Sequence, residues 1–118
     1  MNSSDALGPF TASSGRFEPS VRDLVEAVLT GPGRLPPETR RAAFDGTGLA
    51  RPLSGFVEAV RHRAYTIGDG GIAALRQDGL DEDAIFELTI AAAVGAAYSQ
   101  LQTALRALEA ADALEDTA

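Results

Sequence analysis

The chain has 118 residues, 10 Lys+Arg against 17 Asp+Glu, one His, a formal net charge of −7 and no cysteine. This length suits one domain built around one hydrophobic core. The missing thiols exclude a disulfide framework, an iron–sulfur cluster, a zinc–thiolate site and any cysteine nucleophile, while an acidic balance with dispersed arginines disfavours a nucleic-acid surface.

Residues 1–19 are rich in Ser, Gly, Pro and Thr, with Leu7, Phe10 and Phe17 as their large apolar groups. Such a composition predicts a disordered arm, whose two phenylalanines are candidates for docking on the body or on a neighbouring subunit. The opening Met1-Asn2-Ser3-Ser4-Asp5 lacks the basic start and apolar run of a secretory signal. The longest apolar run, Ile90 to Tyr98, covers nine residues, short of the ~20 needed to span a bilayer. The expectation is a cytoplasmic protein with neither a membrane nor a nucleic acid as partner.

A helical domain is predicted over residues 20–110. Ser20 is placed as the N-cap of a first helix, with Asp23 in its positive first turn. Val21, Leu24, Val25, Val28 and Leu29 then form one amphipathic stripe. Gly31-Pro32-Gly33 ends that helix, and Pro36-Pro37-Glu38 opens a short second one reaching about Phe44, since proline suits a first turn. A third helix is expected over roughly Pro52 to Ile67. Its apolar arc holds Leu53, Phe56, Val57, Val60, Ala64 and Ile67, and its opposite arc holds Glu58, Arg61, His62 and Tyr65. Asp69 is placed as the cap of a short fourth helix carrying Ile72, Leu75 and Arg76, which Gly79 stops in the left-handed conformation.

The fifth helix is predicted from about Asp81 to Ala110, with Asp81 as N-cap, Leu80 and Ile85 as a hydrophobic staple, and Glu82 and Asp83 facing the positive helix end. Its apolar face changes sides midway. Ile85, Leu88, Ala92 and Ala96 point one way, whereas Val94, Tyr98, Leu101, Leu105 and Leu108 follow one another at steps of 4, 3, 4 and 3. The small residues between them allow close helix approach, and the second stripe is a candidate either for covering its own domain or for an oligomer interface with another subunit. The acidic tail, residues 111–118, sits at the wrong end of the helix dipole and is expected to fray. With no internal repeat and no strand-like alternation, the class is all-α, with about five helices and a long central C-terminal one.

The polar stripe of the third helix is the candidate chemistry. Glu58 and His62 lie one turn apart, so a carboxylate can orient the imidazole as a general base requires, with Tyr65 as a further catalytic candidate and Arg61 as a ligand-binding one. A solvated outer face accounts for the same four residues. Gly68-Asp69-Gly70-Gly71 has no preceding strand and no following Lys, which makes it a turn rather than a phosphate loop. Asp81, Glu82, Asp83 and Glu87 lack the His partners of a di-iron bundle. Neither a metal nor a cofactor is expected.

The segments Tyr65-Thr66-Ile67-Gly68-Asp69, Ile72, Leu75, Gly79, Leu80-Asp81-Glu82-Asp83, Ile85-Phe86-Glu87 and Ala91-Ala92-Ala93 resemble the C-terminal half of the carboxymuconolactone decarboxylase and alkylhydroperoxidase-D-like superfamily. Leu35-Pro36-Pro37-Glu38-Thr39-Arg40 likewise resembles the family's approach to its site-bearing helix. The resemblance implies a small all-helical subunit that assembles as a trimer or hexamer. Peroxidase members use a Cys-x-x-Cys pair with a nearby Glu and His, but the corresponding stretch here, Ala42 to Gly55, holds neither Cys nor His. Thiol peroxidase chemistry is therefore excluded. Two functional readings follow. One is a redox-inactive relative acting as a homo-oligomeric interaction or scaffold subunit, open to an unidentified protein partner. The other is a protein that binds a small organic ligand, or a lyase- or isomerase-type acid–base enzyme, using Glu58 and His62.

Overall fold

A computed structural model describes residues 18–117. Five α-helices and one 3-10 turn make up the regular structure of this region, with no strand among the described residues, so the fold is all-α. The helices are α1 (Glu18–Thr30), α2 (Pro37–Asp45), α3 (Leu53–His62), α4 (Asp69–Gln77) and α5 (Glu82–Thr117), and the 3-10 turn Ala64–Thr66 follows α3. Most of the predicted arm lies outside the described residues; its last two, Glu18 and Pro19, open α1, so Ser20 is inside that helix rather than capping it.

Local chemistry accounts for most of the other boundaries. Pro37 stands at the start of α2, where a missing amide hydrogen costs nothing. Gly79 has φ +98°, a conformation that lets the chain turn sharply from α4 into α5. Asp81 caps α5 by accepting a 2.8 Å hydrogen bond from the Ala84 amide, and Leu80 packs against the same core cluster as Ile85. Asp69, by contrast, is the first residue of α4. Gly68 takes the cap position, without a side-chain hydrogen bond.

The single helix predicted over Pro52 to Ile67 is two elements. At Arg63 the backbone leaves the helical region, with φ −145° and ψ 48°, and the 3-10 turn begins. The C-terminal tail departs from expectation in the other direction, because α5 continues to Thr117. Its last turns are dominated by Ala, Leu and Glu, whose helix propensity summed over several residues outweighs the ~0.3–1 kcal/mol that a misplaced terminal charge costs.

Helix α5 is the element that α1, α2 and α3 pack against, and its change of apolar face is real. Ile85, Leu88, Ala91 and Ala92 join Ala43, Phe56, Val57 and Leu75 in one buried cluster. Further along, Tyr98 joins Val25, Leu29 and Phe44 in a second, flanked by Val21, Val94 and Leu105. Helix α2 serves both clusters through adjacent residues, Ala43 in the first and Phe44 in the second. It approaches α5 at Gly95, where a Cβ would lie 2.0 Å from the Phe44 carbonyl oxygen.

By length and composition, the stretch Glu82–Glu115 is apolar enough to cross a membrane, although the strictly apolar run within it is short. Of its most apolar window, 39% is buried against the rest of the protein.

Tyr98 stacks on Phe44 with ring centroids 5.7 Å apart and a 44° tilt. Burial pushes its phenol above the usual value of 10.0, and the positive charge of Arg41 offsets part of that shift. A phenol whose pKa is raised on folding contributes stability that is complete below the unfolded value, near 10, and lost as pH rises through the folded one. Tyr98→Phe keeps the ring packing and removes this titration. The variant is expected to unfold at neutral pH within about 1 kcal/mol of the parent and to lose less stability between pH 9 and 11, as measured by urea denaturation across that range. Parallel alkaline limbs for the two proteins would refute the assignment.

Candidate functional site

The break at Arg63 leaves Glu58, Arg61 and His62 on α3 and places Tyr65 in the following turn. Glu58 pairs with Arg63 at 2.9 Å, and both side chains are about half exposed. The chain's reversal after His62 brings Arg63 to the carboxylate that spacing alone would have offered to the imidazole. Arg61 turns the other way. Its guanidinium donates to the Phe44 carbonyl in the last turn of α2 and lies against Gly46, where a Cβ would meet Nε at 2.6 Å. It thereby ties α3 to the C-terminus of α2. His62 and Glu58 are exposed, and Tyr65 belongs to the 3-10 turn beyond the end of α3. Glu58 and His62 thus stay one turn apart on the exposed side of α3, while Arg61 is bonded to α2 and Tyr65 belongs to the following turn. Among the described residues, no group of three or more His, Asp or Glu is placed to hold a metal ion.

A second polar constellation joins the α1–α2 connection to the start of α5. The Glu87 carboxylate accepts from the Arg34 amide at 2.7 Å and from the Leu35 amide at 2.9 Å. Arg34 reaches Asp83 at 3.5 Å and Asp81 at 3.8 Å. Arg40, only 5% exposed, donates through Nη1 to the Gly31 carbonyl at 2.7 Å and to that of Val28 at 3.3 Å, closing the end of α1. Around these groups lie two adjoining hollows. One of about 210 Å³ is lined by Ala27, Val28, Pro32, Arg40, Phe86, Glu87 and Ile90. The other, of about 410 Å³, lies among Pro32, Gly33, Arg34, Asp83, Phe86 and Glu87. Most of the smaller hollow's wall is apolar; Glu87 and the Arg40 Nη1 are engaged with the backbone, while Arg40 Nε is buried without a hydrogen-bond partner among the described residues. It suits an aliphatic side chain better than a charged ligand.

Phe86, which lines both hollows, is 65% exposed and begins a further apolar surface. On a wheel of α5, Phe86, Ile90, Ala93, Ala97, Leu101, Ala104, Leu108 and Ala111 share one arc, at steps of 4, 3, 4, 4, 3, 4 and 3. Ile90 is half-buried and the other seven are exposed, with Leu108 at 61%. The stripe is ~37 Å long at 1.5 Å per residue. A helix on the surface of a globular protein normally turns polar residues outward; α5 is apolar on its core side and on its outer side as well.

The predicted interface therefore needs correction. Val94, Tyr98 and Leu105 pack with Val21, Val25, Leu29 and Phe44 within the chain, so α1 already covers them, while Leu101 and Leu108 remain exposed. The free stripe lies about 60° further round the helix. Its signal was present in the sequence as an uninterrupted series of Phe, Ile, Leu and Ala, masked by the regular heptad steps of its neighbour.

Comparison with profiles of known protein families, with characterised proteins and with solved structures finds no match.

Proposed function

We propose that this chain is a homo-oligomeric interaction subunit, acting through assembly rather than thiol chemistry, with the outer stripe of α5 as its contact surface. The carrying observation is the exposure of Phe86, Leu101 and Leu108 on a helix whose opposite side already fills the core. A row of large and small apolar groups with this spacing gains free energy when another helix removes it from water. The absence of cysteine, the exposure of Glu58 and His62 and the pairing of Glu58 with Arg63 weigh toward assembly and against acid–base catalysis. The resemblance to the alkylhydroperoxidase-D-like superfamily, whose members are oligomers of small helical subunits, points in the same direction.

Light scattering coupled to size exclusion tests the reading. The chain is expected to self-associate reversibly. Leu101→Glu combined with Leu108→Glu is expected to weaken association at least ~100-fold, since each buried leucine contributes ~1.5–3 kcal/mol and a dimer buries both from each copy. Helicity should be retained, because neither leucine belongs to a core cluster. A parent protein that stays monomeric at every concentration would overturn the proposal.

A further inference from the structure

We infer that the occupant of the outer α5 stripe is the same stripe of a second copy, laid antiparallel across a two-fold axis, with Arg34 of each copy meeting the acidic C-terminal turns of the other. This inference rests on the self-association just proposed and adds its order and its charge contacts.

Charge distribution decides the direction. At the N-terminal end of α5, the acids have cations beside them: Arg34 faces Asp81 and Asp83, and Arg76 reaches Glu82 at 3.2 Å. Both arginine side chains are more than half exposed. At the other end Glu109, Asp112 and Glu115 are exposed, and the last turn carries no basic residue. A parallel pair would gather those acids from both copies beside two negative helix ends. An antiparallel pair instead brings each acidic end to the positive helix end and the exposed arginines of its partner.

Side-chain sizes agree with this order. Centred between Ala97 and Leu101, the antiparallel register sets Phe86 against Ala111, Ala97 against Leu101, Ile90 against Leu108 and Ala93 against Ala104. Large groups meet small ones at two levels, and the alanine level lets the helices approach closely. In a parallel register every residue would face its own copy, Phe86 against Phe86. The register also brings Leu108 of the second copy to the level of Ile90, beside the hollow of about 210 Å³ at Ala27, Val28 and Phe86, which accepts an aliphatic group.

The cysteine-free chain permits a direct test by disulfide trapping. Ala93→Cys and Ala104→Cys variants are prepared separately, mixed, allowed to exchange subunits and mildly oxidised, with light scattering on each sample. The expected result is a cross-linked dimer in the mixture and little or none in either variant alone. In the antiparallel pair two copies of position 93 lie eleven residues, ~16 Å, apart along the axis, beyond the ~7 Å Cα limit for a disulfide. Arg34→Glu is expected to weaken the dimer roughly ten-fold, with affinity recovered when Asp112→Arg and Glu115→Arg are added. Efficient self-cross-linking of the Ala93→Cys variant overturns the antiparallel order and leaves self-association standing, as does a dimer that cross-links in no combination. A chain that is monomeric throughout, including one that floats with phosphatidylcholine vesicles instead, overturns both.

Discussion

Gly95→Ala is expected to destabilise the protein by about 3 kcal/mol or more, although alanine is the better helix former by ~1 kcal/mol. A Cβ at this position would lie 2.0 Å from the Phe44 carbonyl oxygen and 2.6 Å from its carbon. The obstacle is main chain, which no rotamer change removes. That carbonyl is also held from its other side by the Arg61 guanidinium, and the Phe44 ring is locked against Tyr98, Val25 and Leu29. Accommodating one methyl means separating α2 from α5 and loosening both core clusters together. Overpacking of this kind costs ~1–3 kcal/mol where side chains can yield, and here they cannot. Against a total stability of ~5–15 kcal/mol the loss is severe. Gly55→Ala in α3 provides the opposite case, since nothing lies within 4 Å of its Cβ position, and a gain of up to ~1 kcal/mol is expected. Urea denaturation of the two variants checks the pair. Equal stabilities would mean that the helices do not cross at Gly95.

The second large effect is expected at Arg40. This residue lies in the wall of the smaller hollow and closes α1 through the Val28 and Gly31 carbonyls. Arg40→Met keeps most of the aliphatic stem but leaves both carbonyls without that donor. Two terms oppose each other. Methionine escapes the cost of burying a guanidinium, while the lost charge-assisted hydrogen bonds contribute ~1.5–3 kcal/mol each where they are well formed. The 2.7 Å bond to Gly31 is the stronger and the 3.3 Å bond to Val28 the weaker, so a net loss of about 2 kcal/mol is expected. It should be local as well as global. Amide hydrogen exchange is expected to speed up in the last turn of α1 and in Gly31–Leu35 more than in α3 or α4. Uniform acceleration throughout the fold would argue that Arg40 contributes only through general packing.

Much of the fold was legible because its boundaries depend on near-neighbour chemistry. Pro37, Gly79 and Asp81 do locally what their side chains favour, and the change of apolar face from Ile85, Leu88 and Ala92 to Val94, Tyr98 and Leu105 was visible in the spacing, although the second set, a candidate interface, packs within the chain. Ser20 and Asp69 show the limit of that logic, since a residue able to cap a helix can also stand inside its first turns at small cost. The candidate site was far less legible. Tyr65 joins the stripe of Glu58, Arg61 and His62 only if the helix continues through Arg63, and the chain leaves it there. Arg61 was drawn inward by a carbonyl seventeen residues away, a partner that no local spacing reveals. On α5, two apolar stripes lie side by side. Which one α1 would cover depends on the path of the α1–α2 connection, itself fixed by Glu87 reaching the Arg34 and Leu35 amides across more than fifty residues of sequence.

The length of α5 has a thermal consequence. Neither core cluster contains a residue beyond Leu105, yet the helix runs on to Thr117. A segment of this size is at the margin of helix formation in isolation, where an unanchored chain must nucleate its own first turn. Here that nucleus is supplied ready-made by the clamped half of α5. The distal turns are therefore a growing end, shortening and lengthening at the C-terminus like a zipper. On warming they should melt inward toward Leu105 in a gradual decline of ellipticity that precedes the cooperative loss of the core.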